Sequence, residues 1–128
     1  MTDTKISASE AELLLHKLVT EGLPVISYFT DADGSRTAKL PGFVQSFTKA
    51  HGLVVGTESP LSQPEKLSAW MHFSHEEVAA ADFIYQDETT VPEGRGQGSA
   101  LRIYFSNGDS LIIIENKDLE KRNESSSR

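Results

Sequence analysis

His72, His75, Glu76 and Asp82 cluster in the sequence and are of the types that hold metal ions. Their order is H-x-x-H-E. That is not the H-E-x-x-H pattern, in which two histidines one helical turn apart face the same ion. A strand is expected to end between His72 and His75, which would separate the pair, so the residues read as a polar strand face running into a helix cap. No metal ligand is assigned.

Asp31-Ala-Asp33-Gly34-Ser35 has the opening of a calcium loop. Such a loop starting at Asp31 would need its bidentate acid where Gly42 stands, so the segment is expected to be a hairpin turn. Gly94-Arg95-Gly96-Gln97-Gly98-Ser99 offers backbone N–H groups and one guanidinium that could cradle a phosphate or carboxylate. It precedes a strand and not a helix, so it is neither a P-loop nor a dinucleotide fingerprint. Arg95, Gly96 and Gly98 are the ligand-binding candidates, with a flexible loop as the plainer reading.

Nucleophilic catalysis finds no G-x-S-x-G elbow to rest on. The carboxylates Asp82, Asp87, Glu88 and Glu93 read equally well as an acid/base pair or a solvated edge. No catalytic residue and no cofactor is assigned. Trp70 and His72 fall on the strand face opposite the apolar one, and an outward Trp marks contact with something. That contact is either the N-terminal helix or a subunit interface to which Tyr85 or Tyr104 adds.

The elements that must position these residues follow from periodicity. Ser7 and Glu10 form a capping-box pattern, and Ala11, Leu14, Leu15, Leu18 and Val19 recur at helical spacing. Gly22, Leu23 and Pro24 then supply a stop, which predicts a helix over 8–21. From Val25 the period is two: a strand, a turn at 31–34, and an extended segment from Arg36 to Thr48 with Phe43, Gln45 and Phe47 on one face and a bend or bulge at Pro41-Gly42. Leu53-Val54-Val55 completes a meander. After a loop over 57–66, Leu67 to Phe73 alternates with Met71 and Phe73 on the apolar face. Ser74 and Glu77 cap at most a turn or two before Phe83-Ile84-Tyr85 resumes strand character. Thr89 to Ser99 is expected as a long mobile loop. Leu101 to Phe105 and Leu111 to Glu115 form a hairpin around Asn107-Gly108, whose type predicts a two-residue I′ turn.

These elements give a mainly β (α+β) fold: a small antiparallel β-barrel or strongly bent sheet of six to seven strands with the helix packed on it. A single domain spans 1–116, and 117–128 is a disordered polar tail. The 128 residues suffice for one core. With no cysteine, disulfides and thiolate chemistry are excluded.

The net charge is −7, and residues 117–128 carry four basic and three acidic side chains, so the deficit lies in the body. General nucleic-acid binding is disfavoured by that charge. No apolar run reaches the roughly 20 residues of a membrane span, and the first residues lack a signal-peptide pattern, so a cytoplasmic protein without membrane contact is expected.

Residues 7–73 resemble the N-terminal barrel domain that accompanies PilZ domains in flagellar-brake proteins. The resemblance lies in Leu14, Leu15 and Leu18, the Gly22-Leu23-Pro24-Val25 turn, the meander ending in Leu53-Val54-Val55, and the strand entered after a polar loop. The order of elements is also similar to Sm-like barrels, with Gly34 and Gly42 at the turn and the bent second strand. The first resemblance implies a regulatory module but not cyclic di-GMP binding, because the R-x-x-x-R arm and the D/N-x-S-x-x-G strand are missing. The second implies a ring and an RNA path. The leading expectation is a non-catalytic binding or regulatory module acting on a protein partner or as a homo-oligomer. The alternatives are a small-ligand or nucleotide-binding barrel, an Sm-like RNA binder and a small metal-dependent hydrolase.

Overall fold

The structure, a computed structural model, describes residues 3–57, 69–90 and 97–115. In chain order the elements are β1 (Asp3–Ile6), α1 (Ala8–Glu21), β2 (Val25–Thr30), β3 (Thr37–Thr48), β4 (Gly52–Gly56), β5 (Trp70–Phe73), α2 (His75–Ala79), β6 (Asp82–Thr90), β7 (Gln97–Tyr104) and β8 (Ser110–Glu115). Residues 117–128, expected as a tail, lie outside the described residues.

Helix α1 forms as its sequence dictates. The Ser7 hydroxyl accepts the Glu10 N–H at 3.2 Å, and Glu10 Oε1 accepts the Ser7 N–H at 3.3 Å, so each residue satisfies a donor the helix leaves open. At the other end Gly22 adopts φ 59°, and Leu23 and Gly22 donate N–H groups to the carbonyls of Leu18 and Val19. This is a Schellman stop, in which the left-handed residue suits glycine because it has no Cβ. Ala11, Leu15 and Leu18 are buried, with Leu14 and Val19 packed beside them.

The strands form one antiparallel sheet in the order β1-β6-β7-β8-β2-β3-β4-β5. Helix α1 touches both β6 and β3, which stand four positions apart in that order. On a flat sheet these would be about 19 Å apart, wider than a helix of about 10 Å, so the sheet curls around α1. The curl continues past it. Phe73 on β5 stacks on Phe105, at the end of β7, with ring centroids 5.0 Å apart.

Among the described residues the sheet does not close. β1 and β5 are its two edges, so of the expected barrel or strongly bent sheet of six to seven strands the barrel is corrected, and the sheet is open, curled and eight-stranded. The extra strand is β1, which pairs with β6 through Thr4↔Tyr85 and Ile6↔Phe83. Ile6 is the only apolar residue in β1, so no alternation marks it in the sequence.

Three local expectations also change. The register irregularity of β3 lies between Val44 and Ser46, not at Pro41-Gly42; it turns Val44 and Phe47 into the core in place of the expected Phe43 and Phe47 pair. Gly42 instead marks where β3 passes from pairing with β2 to pairing with β4. The expected loop over Thr89 to Ser99 is shortened from both sides, because Thr89 pairs with Gly98 and Thr90 with Gln97. The β7–β8 turn holds three residues rather than two: Gly108 N–H bonds the Phe105 carbonyl, Phe105 N–H bonds the Asp109 carbonyl, and Gly108 takes φ 96°. This is the longer of the common hairpin loops, with the glycine in the left-handed position.

Candidate functional site

Strand β5 places the residues that the sequence marks for contact. Met71 and Phe73 face the core, packed against the side of β4 that carries Leu53 and Val55. Trp70 and His72 therefore project from the other face. Trp70 pairs with Gly56, which has no side chain to lay over it, and the indole is 60% exposed. His72 sits opposite Val54, and its Nε2 lies 2.7 Å from the carbonyl oxygen of His51. A carbonyl only accepts, so Nε2 carries the proton and the imidazole is tied toward the β3–β4 turn.

The backbone of β5 matters as much as its side chains. Thr57 N–H bonds the Ala69 carbonyl, which makes 57 and 69 a hydrogen-bonded pair one step before the Gly56↔Trp70 pair. Antiparallel pairs alternate between bonded and non-bonded. Met71 and Phe73 are then bonded to Val55 and Leu53, while the N–H and C=O groups of Trp70 and His72 point away from β4. Among the described residues no strand pairs with β5 on that side. Trp70 and His72 thus present their backbone groups at the open edge, where Trp70 adds an exposed ring, while the His72 ring is tied back to His51 on the β4 side.

The other candidates do not converge there. His75 opens α2 and stacks on Phe47 at 5.5 Å and 17°, and Phe47 also meets His16 at 5.8 Å. His72, His75 and Glu76 border one open groove with Lys49 and His51. Among the described residues no three His, Asp or Glu side chains gather to hold an ion. Asp82 starts β6 and does not line this groove.

Asp31 and Asp33 spend their carboxylates inside a hairpin turn. Asp31 Oδ1 accepts the Arg36 N–H at 3.1 Å and Asp33 Oδ1 accepts the Ser35 N–H at 2.9 Å. Ser35, through its hydroxyl first and its backbone N–H second, holds the Asp33 carboxyl below the usual aspartate range.

Tyr85 and Tyr104 belong to different surfaces from Trp70. Tyr85 lines a cleft under α1 with Leu14, Leu18 and Leu23. Tyr104 is 39% exposed on β7, five positions from β5 in the sheet order. Gly98 is a strand residue opposite Thr89, and Arg95 and Gly96 lie outside the described residues.

A feature missed in the sequence is a second apolar cluster on the outer sheet face, built from Ile26, Ala100 and Ile114 with Tyr28 and Ile112 beside them. Its signal is the unbroken run Leu111 to Ile114, which cannot alternate and must place isoleucines on both faces. Beside it, on β6 and β7, Arg102 Nε donates to the buried Gln86 Oε1 at 2.6 Å. No helix among the described residues is long and apolar enough to cross a membrane. No family model, curated protein or solved structure matches the chain, and the functional reading therefore rests on this geometry.

Proposed function

We propose that this protein is a non-catalytic binding module that self-associates through the open edge of β5, with Trp70 as its main contact residue. The observation that carries the reading is the 60% exposure of Trp70 on a strand whose outer edge has no partner among the described residues. Covering that much of an indole removes on the order of 150 Å² of apolar surface from water, worth roughly 3 kcal/mol per ring before ordering costs. The resemblance of residues 7–73 to a regulatory barrel domain agrees in sense with this role.

Trp70 is the single tryptophan of the chain, so its emission reports on this surface alone. Sedimentation of the purified chain over a wide concentration range should show mass rising from 14.0 kDa toward twice that value, with Trp emission shifting to the blue in step. Trp70→Ala should stay at the lower mass throughout. A wild-type chain that remains at 14.0 kDa up to about 1 mM, a concentration at which only the weakest complexes stay apart, would remove the self-association reading.

A further inference from the structure

We propose that two copies join by antiparallel pairing of their β5 strands about a twofold axis through Met71, so that Trp70 of each copy faces His72 of the other. The inference rests on the self-association reading and names its contact. It follows first from the backbone. Trp70 and His72 are the β5 residues whose N–H and C=O groups point to the open edge, and they lie two residues apart. Placing the strand against its own copy with Met71 on the axis makes Trp70 and His72 of the partner copy a hydrogen-bonded pair, and symmetry repeats it.

Charge singles out β5 among the surfaces two copies could share. The chain carries −7, so a second copy is repelled by most surfaces this protein offers. Trp70–Phe73 contains no charged residue, whereas the opposite edge, β1, carries Asp3 and Lys5. Charged residues, prolines and bulges are how proteins guard an edge against self-pairing, and β5 has none of them. The side chains leave room for the seam: the Trp70 indole is exposed, and the His72 imidazole opposite it is turned back toward His51 of its own chain, so each indole lies over the partner's strand without a clash. A seam of four-residue strands is small against the roughly 1,200 Å² of a stable interface, so the dimer is concentration-dependent and not permanent.

The absence of cysteine makes the register directly testable. Trp70→Cys and His72→Cys are prepared separately, checked for unchanged circular dichroism, and oxidised alone and as an equimolar mixture. A bonded pair has Cα atoms about 5.5 Å apart, within disulfide reach, while position 70 and its own copy lie beyond 7 Å. The mixture should give at least about fivefold more covalent dimer than either variant alone. In parallel, Trp70→Lys, which guards the edge without touching the core face, should raise the dissociation constant at least tenfold. If the wild type associates but the mixture gives no excess, or Trp70→Lys leaves association intact, the β5 seam is overturned while self-association stands. If the wild type does not associate at all, both readings fail.

Discussion

Ala32 and Asp109, 77 residues apart in sequence, are joined by a hydrogen bond from the Ala32 N–H to Asp109 Oδ1 at 2.9 Å. It ties the β2–β3 turn to the β7–β8 turn across the end of the sheet where β2 and β8 pair. The same carboxylate accepts Asn107 Nδ2 at 3.0 Å, so one side chain organises its own turn and clamps its neighbour. Asp109→Ala should lower stability by about 1 kcal/mol in urea unfolding and speed hydrogen exchange of the Ala32 amide. Asp109→Asn keeps an acceptor oxygen and should lose less than half as much. An Ala32 amide that exchanges equally fast in Asp109→Ala and wild type would show that the clamp is not held in solution.

A glycine decides whether the curl is possible. A Cβ added at Gly42 would lie 2.1 Å from the carbonyl oxygen of Gly56, an obstacle of backbone that cannot swing aside. Gly42→Ala should therefore separate β3 from β4 and cost at least about 3 kcal/mol. Gly34→Ala meets no atom within 4 Å but takes φ 76°, so it should cost only about 1 kcal/mol, the ordinary penalty for a left-handed Cβ. Equal melting temperatures for the two variants would contradict the close approach.

Much of this was legible along the chain, and what was legible was local. Ser7, Glu10 and Gly22 fix both ends of α1 because caps act through hydrogen bonds spanning a few residues. The inward and outward sets of β5 follow from alternation alone, whereas β2 and β8 carry buried apolar residues on both faces. Closure was not legible, because it depends on whether β1 and β5, one at each end of the order, come into register. The Gln45 irregularity was also hidden, since Phe43, Val44 and Phe47 are all apolar and either register could bury two of them. For the candidate site, alternation exposes the Trp70 ring, but the direction of its backbone groups depends on the Thr57–Ala69 hydrogen bond.

Acidification should act on the β2–β3 turn through Asp33. Ser35 hydrogen bonds, side chain first and backbone second, lower the carboxyl of Asp33, and the neighbouring Asp31 adds to the effect. A group whose folded pKa lies below its unfolded value adds stability above the unfolded value and loses it as pH falls through the folded one. The Asp33 contribution is thus intact at neutral pH and fades only in acid, below the usual aspartate range. Carbon-detected NMR titration should place Asp33 below a free aspartate, and Ser35→Ala should move it upward. Unchanged titration in Ser35→Ala would assign the shift elsewhere.

Neighbouring leucines on α1 offer the sharpest check on which stripe of the helix the sheet grips. Leu15 is wholly buried in the core, whereas Leu13, two residues earlier, is 71% exposed. Hydrophobic content is identical, so any difference between their alanine variants measures burial and the cavity left behind. Leu15→Ala should cost about 2–5 kcal/mol, and Leu13→Ala should stay within about 0.5 kcal/mol of wild type. Guanidinium unfolding of the two variants, read by circular dichroism, separates these values easily. Comparable losses would mean that α1 is rotated about its axis, with Leu13 reaching a surface that the curled sheet does not supply.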